Sequence, residues 1–300
     1  MNVFRGNDDN DVSSNKSDLE GNLVGLTKGE LERYERQILR IGVEGQKILK
    51  SKSVLQVGAG GLGSPLAYYL VAAGVGRLII IDDDKVSLSN LNRQILYSVD
   101  DLGKMKAEVA KRKLEFLNPG VKIDAISGRL TKENYRDYIK GVDYLIDASD
   151  NLKTKYLIND IGLETGIPFT IAGVQGMEGQ IISVTPSKSA CYRCIFGDYE
   201  EYNKEDVPSM DDKESLNAND NSKLSNKKNE QAKAKKKPIE IFGFSAGVLG
   251  ALEAAEAIKY LLGVGKRIVN ALLMVDLEEM KFMKVEIKQN PNCICSKIKN

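Results

Sequence analysis

The chain has 300 residues, 42% of them apolar, and a formal net charge of +1, so it can bury a sizeable core but offers no electrostatic case for binding bulk nucleic acid or a membrane surface. Its longest apolar stretch, 65–81, is interrupted by Gly74, Gly76 and Arg77 and is not a bilayer span. The absence of histidine excludes Ser-His and Cys-His catalysis and imidazole metal ligands, and the four cysteines form two close pairs, Cys191 with Cys194 and Cys293 with Cys295.

Residues 1–25 are rich in Asn, Asp and Ser and read as a disordered tail, not as a signal peptide. A cytoplasmic protein is the default expectation, and in that setting two close cysteine pairs favour a metal over disulfides. From about residue 26 to 296 the pattern is that of one folded domain. Thr27 is a candidate N-cap for a helix running through Leu31, Tyr34, Ile38 and Leu39. Strands are expected at 53–57, 78–81, 121–126, 142–146 and 169–172. Helices are expected at about 64–73 and 105–117, the latter with Ala107, Ala110, Leu114 and Leu117 on one face. Such alternation predicts a doubly wound, mostly parallel α/β sheet of Rossmann type. Strands at 180–184, 271–275 and 282–287, the last two joined by a hairpin turn at 276–281, would extend it in antiparallel fashion. The polar segment 198–237, acidic first and basic later, reads as a flexible charged insertion whose lysines either stay solvated or dock a partner. A helix follows at 245–262.

Gly58, Gly60 and Gly63 fit G-x-G-x-x-G between a strand and a helix. There glycines let the backbone approach phosphate and the helix N-terminus supplies positive potential. Asp82 follows about 20 residues later at the end of the second strand, where a carboxylate can hold ribose hydroxyls. A nicotinamide enzyme would share these features, as would a glycine turn used only for packing. Asp150, just past the fourth strand, should line the same crevice, because the carboxyl ends of doubly wound strands share one edge. Arg93 and Lys106 follow the second strand and can overhang it. Two cations and a spare carboxylate suit a triphosphate with Mg²⁺ better than a dinucleotide. Each taken singly could be an ordinary surface charge.

The stretches Arg33-Tyr-Glu-Arg-Gln37, Gly58-Ala-Gly-Gly-Leu-Gly63, Asp82-Asp-Asp-Lys-Val-Ser-Leu-Ser-Asn-Leu-Asn-Arg-Gln94, Gly103-Lys-Met-Lys106, Asp147-Ala-Ser-Asp-Asn151, Glu178-Gly-Gln180 and Cys191-Tyr-Arg-Cys194 together resemble the ThiF/MoeB family, relatives of the adenylation domains of ubiquitin-activating enzymes. The resemblance implies an adenylyltransferase using ATP and Mg²⁺ on a ubiquitin-like sulfur-carrier protein ending in Gly-Gly. The sulfur would be destined for molybdopterin, thiamine or tRNA thiolation. It implies that Gly61 approaches the nucleotide, that Asp82 holds the ribose, that Ser89, Asn90, Leu91, Asn92 and Arg93 contact the phosphates with Asn90 and Arg93 most direct, and that Asp84 and Gln94 also belong to the nucleotide-binding set. Lys106 would steady the α-phosphate, Asp150 would hold magnesium with Asn151 beside it, and Arg36 would reach the site of a neighbouring subunit in a homodimer. Cys191, Cys194, Cys293 and Cys295 would form a structural Zn²⁺ site, although Cys293-Ile-Cys295 has one residue fewer than the usual C-x-x-C. The cysteine that some relatives carry just before the helix near Ser245 is missing, so adenylation alone is expected, with sulfur delivered by another protein. The rival readings are an NAD-dependent oxidoreductase and a family member that binds a carrier without catalysis.

Overall fold

The computed structural model describes residues 25–198 and 240–298. The expected tail at 1–25, but for Gly25, and the expected insertion, but for Asp198, lie outside these residues. Eight strands form one sheet in the order β3-β2-β1-β4-β5-β6-β7-β8. They are β1 (Ser53–Val57), β2 (Arg77–Ile81), β3 (Lys122–Ile126), β4 (Tyr144–Asp147), β5 (Phe169–Gln175), β6 (Glu178–Val184), β7 (Ala271–Asp276) and β8 (Lys281–Glu286). The first five are parallel. From β5 onward every pairing is antiparallel, as expected.

Strand periodicity sorts the core onto two faces. Val54, Leu78, Ile80, Tyr144 and Ile146 point to one side, where α2 (Glu35–Lys50), α3 (Gly63–Ala73), α4 (Lys106–Leu117) and α8 (Gly243–Leu262) cover them. Leu55, Ile79, Ile81, Leu145, Phe169 and Ile171 point to the other, toward α5 (Tyr135–Tyr138), α6 (Leu152–Thr165) and α7 (Tyr192–Phe196). All five residues of β1 are buried, as a strand covered on both faces requires.

The expected N-terminal helix is two helices. Thr27 forms a full capping box with Glu30 at the start of α1 (Lys28–Arg33), and the chain breaks at Tyr34 before α2. Tyr34 is buried, with its hydroxyl accepting from Asn118 Nδ2 at 2.8 Å. That tertiary contact, not a local breaker, sets the break. Leu39 is exposed on α2 and takes no part in the core. The β5–β6 hairpin runs further than expected, to Gln175 and Glu178, and turns through Gly176 and Met177.

Candidate active site

The site lies where β1, β2 and β4 end together. Gly58 donates to Ile81 O at 2.9 Å and Ala148 donates to Val57 O at 2.8 Å, so the glycine loop is stitched to both neighbouring strands. Gly58 has φ +97°, and a Cβ there would lie 2.7 Å from Ala148 O. A Cβ on Gly63 would lie 2.1 Å from Gly58 O, so that glycine lets α3 start flush against the loop. Gly60 and Gly61 differ: their nearest neighbours are the Gln94 amide at 3.6 Å and Ala246 Cβ at 3.1 Å. Two buried side chains brace the loop from behind. Gln56 Nε2 donates to Gly58 O and Gly63 O, both at 2.9 Å. Tyr97 donates its hydroxyl to Ala59 O at 2.8 Å. Burial pushes the Tyr97 pKa far up, helped by the carboxylates of Asp82, Asp101 and Asp84, so the hydroxyl stays a donor.

Asp82 closes the turn. One oxygen accepts from Ala59 N at 2.7 Å and the other from Asp84 N at 2.9 Å. Burial raises its carboxyl above the usual range, and these donors together with Lys106 oppose the shift. Asp84 is paired with Lys106 twice: backbone to backbone at 2.9 Å and Nζ to Oδ2 at 2.9 Å. Lys106 opens α4 and is 4% exposed, so its charge is delivered at the crevice from within the fold.

Between them runs a wall built on a single turn of 3₁₀-helix, Leu88–Asn90. Ser87 caps it, donating its N–H to Asn90 Oδ1 at 3.1 Å. Arg93 curls back, donating to Ser89 O and Asn92 Oδ1, both at 2.9 Å. Leu91 packs on the core and Gln94 is buried. Of the six residues from Ser89 to Gln94, Leu91 and Gln94 thus support the wall, while Arg93 is left as its cation.

On the far side of the loop, β4 ends in Asp147, which is fully buried. Lys155 Nζ donates to Asp147 Oδ2 at 2.7 Å and Ser149 Oγ donates to Asp147 Oδ1 at 2.6 Å. Burial pushes the Asp147 carboxyl up and Lys155 and Ser149 pull it back; donors on both oxygens are the pattern of a carboxylate. Asn151 caps α6, accepting from Lys153 N at 2.9 Å. Asp150 is exposed and has no hydrogen-bond or ion-pair partner among the described residues. Behind this edge, on α8, Glu253 is fully buried and neither of its oxygens has a partner among the described residues. Burial, reinforced by Asp147 and opposed by Lys155, raises its carboxyl well above the ordinary range.

Sequence reasoning therefore placed the glycine loop, Asp82, Asp84, Arg93, Lys106 and Asp150 at one edge, and the structure brings them there. It missed Gln56, Tyr97, Asp147 as a buried acid, Lys155 and Glu253. Arg36 is not at this edge. Its neighbour Gln37 donates to Ala73 O at 2.7 Å, at the far end of α3, and α3 is 11 residues long. That helix puts roughly 16 Å between Arg36 and its own glycine loop.

The four cysteines come together elsewhere. Their sulfurs all lie within 4.8 Å of one another. Cys191 is 3.6 Å from Cys293 and 4.0 Å from Cys194, and Cys194 is 3.4 Å from Cys295. Sulfurs about 2.3 Å from a tetrahedral zinc sit about 3.8 Å apart, so the set fits that ion. The shortened Cys293-Ile-Cys295 spacing works because Cys295 turns inward on the one-turn helix α9 (Ile294–Lys297) and is buried. Asn290 N and Gln289 Nε2 donate to Cys194 and Cys295 sulfurs at 3.4 and 3.6 Å, as outer-shell donors to thiolates do. Burial and the three neighbouring sulfurs drive the Cys191 thiol up, so a thiolate at that position calls for a nearby cation.

No helix among the described residues is long and apolar enough to cross a membrane. A ThiF family model matches residues 34–296. The chain is 39% identical to a sulfur carrier protein adenylyltransferase of Thermus thermophilus, covering 89% of this chain and 91% of that one. It is 36% identical to a SAMP-activating enzyme E1 of Haloferax volcanii, covering 90% of each. The adenylyltransferase and sulfurtransferase MOCS3 of Drosophila sechellia matches at 36% over 90% of this chain but 54% of its own length. Among solved structures, E. coli MccB with AMPCPP and MccA has the same fold, with a TM-score of 0.71 at 23% identity over 87% of this chain and 73% of that one.

Proposed function

Because the chain belongs to the ThiF family, we propose that it uses ATP to adenylate the C-terminal glycine carboxylate of a small ubiquitin-like sulfur-carrier protein. The observation that carries this reading is the meeting of the glycine loop, Arg93, the buried Lys106 and Asp150, which has no partner among the described residues, at one sheet edge. Similarity over about nine-tenths of two relatives named for carrier activation supports it. The same glycine loop would serve a hydride-transferring enzyme, but family membership favours adenylation over that alternative.

The chemistry asks little of the protein in proton transfer. A terminal carboxylate is already ionised at neutral pH. Its oxygen attacks the α-phosphorus of ATP, the bond to the β,γ-diphosphate breaks, and pyrophosphate leaves with the electron pair, giving an acyl-adenylate. Gly60 and Gly61 leave the backbone open to the phosphates. Lys106 faces the charge that grows on the α-phosphate, and Arg93 faces the departing diphosphate. Fixed cations of this kind need no reorganisation during the reaction, which is where the rate comes from. Mg²⁺ would be held by Asp150 and phosphate oxygens, the mixed ligation that this hard ion prefers, and would neutralise the triphosphate. Zinc on the four cysteines would be structural. Arg36, remote from its own loop, would serve the site of a second copy in a homodimer. With all four thiols committed to the metal among the described residues, sulfur would come from a separate donor protein.

ATP–pyrophosphate exchange, measured with Mg²⁺ and candidate Gly-Gly carriers added one at a time, tests the proposal. Exchange that depends on a carrier is the expected result. ATP binding without exchange for any carrier would favour a family member that binds without catalysis, and failure to bind ATP would overturn the reading.

A further inference from the structure

Resting on that reading, the geometry points to Lys155 as the positioning residue for Asp150, the carboxylate assigned to magnesium. Lys155 sits in the first turn of α6, is 8% exposed, and spends its whole donor capacity. An ammonium group has three N–H donors. Here they reach Asp147 Oδ2 at 2.7 Å, Ser149 O at 2.9 Å and Ala172 O at 2.6 Å. These acceptors belong to the end of β4, the turn after it and β5 respectively.

The consequence falls on one peptide. The Ser149 carbonyl belongs to the peptide that leads into Asp150, so a buried cation fixes that peptide plane from below. Ser149 Oγ is held by Asp147 at 2.6 Å, and Asn151 Oδ1 is occupied as the cap of α6. In the run from Asp147 to Asn151, three of the four polar side chains are spent on the turn itself. Asp150 is exposed and, of the four, is the one without a partner among the described residues. A long side chain eight residues from Asp147 thus converts a flexible strand-to-helix turn into a rigid mount. A single-carboxylate magnesium site needs such a mount, because the remaining ligands come from phosphate and water and cannot correct a misplaced carboxylate.

The test uses the full-length protein and a fluorescent ATP analogue, with its dissociation constant measured in Mg²⁺ and again in EDTA. The ratio of the two constants reports the coupling between metal and nucleotide without any turnover. In the unaltered protein Mg²⁺ should tighten binding about tenfold or more, and Asp150→Ala should bring the ratio close to one. Lys155→Met should collapse the ratio similarly while the EDTA affinity stays within about twofold. In the Asp150→Ala background, Lys155→Met should change the ratio no further, because both act through one carboxylate. A general packing role would instead weaken binding equally with and without metal. Since Lys155→Met leaves Asp147 buried without its cation, Asp147→Asn serves as the second variant if the first does not fold. It keeps the shape and both carbonyl anchors, and should lower the ratio partway. A ratio unchanged by whichever variant folds, in a protein where Asp150→Ala abolishes coupling, would overturn the role of Lys155. A ratio of one in the unaltered protein would instead sink the magnesium assignment of Asp150 on which it rests.

Discussion

Replacing Glu253 with Gln should stabilise the protein by an amount that grows with pH. In the unfolded chain Glu253 titrates near its ordinary value of 4.5, whereas folding buries it completely without a hydrogen-bond partner among the described residues and beside Asp147. The folded carboxyl therefore keeps its proton to a much higher pH. Between the two values the folded state binds one proton more than the unfolded state, so its stability falls as pH rises. Below about pH 4.5 the penalty is absent, and above the folded value it is constant. Gln has nearly the same shape and no proton to lose. The difference between variant and parent should thus widen by about 1.4 kcal/mol per pH unit across that window. With a urea slope of about 3 kcal/mol per molar, the upper end of the usual range, the gap between midpoints should widen by about 0.5 M for each pH unit inside that window. Urea unfolding of both proteins at several pH values reads it directly, and titrating groups remote from Glu253 cancel in the difference. Parallel midpoints across the series would mean that Glu253 has the same pKa folded and unfolded, and the reasoning from burial would be wrong. The pH at which the difference stops growing would report the folded pKa.

Other substitutions probe the remaining parts. Lys106→Ala should abolish carrier-dependent pyrophosphate exchange while the protein stays folded, because it removes the buried cation at the crevice and leaves only the exposed Asp84 unpaired; full activity would refute its assignment. Tyr97→Phe should cost about 1 kcal/mol in unfolding and weaken ATP binding severalfold, since it frees Ala59 O in the glycine loop. Thermal unfolding together with nucleotide titration checks both. The proposed zinc should be found at one per chain, and removing it with a chelator or by Cys293→Ser should speed amide exchange in β8 before the parallel strands; no bound zinc, or uniform exchange across the sheet, would refute this local role.

How far the sequence disclosed this site depends on whether a residue's role is local. Gly58 and Gly63 were legible because a strand, a tight turn and a helix follow one another directly. Asp82 and Asp150 were legible because the ends of parallel strands must share an edge. Gln56 carried a signal, a polar residue in the middle of the apolar run 53–57, but only the structure shows that it ties two ends of the glycine loop together. Lys155 and Glu253 gave none. Both sit at ordinary helical positions, and their burial is decided by the sheet beneath them. Helix α6 could have been delimited from Asn151 as cap and Gly166 as terminator, with φ +74°. The one-turn helices α5, α7 and α9 are too short for any periodicity. Arg36 became a candidate only through family resemblance, because its own fold holds it away from the crevice.

The cysteine cluster has a physical task that the sheet order makes plain. Every residue of β8 is exposed, with Met283 at 56% and Phe282 at 53%, so burial contributes little to holding this edge strand. Among the described residues its backbone pairs only with β7, and a lone edge of this kind is prone to fraying. The chain continues from β8 for a few residues and then reaches Cys293 and Cys295, whose sulfurs meet those of Cys191 and Cys194 about a hundred positions earlier. The metal proposed there would tie the exit of β8 to the helix after β6, and closing so long a loop would remove much of the freedom that fraying gains. The shortened Cys293-Ile-Cys295 spacing does not weaken this argument. The tie needs four sulfurs at metal distance, and the turn of α9 brings the last one inward to supply it. The edge that carries the glycine loop is built by β1, β2 and β4, which are buried on both faces, whereas β8 lacks that support and the cluster sits beside its exit.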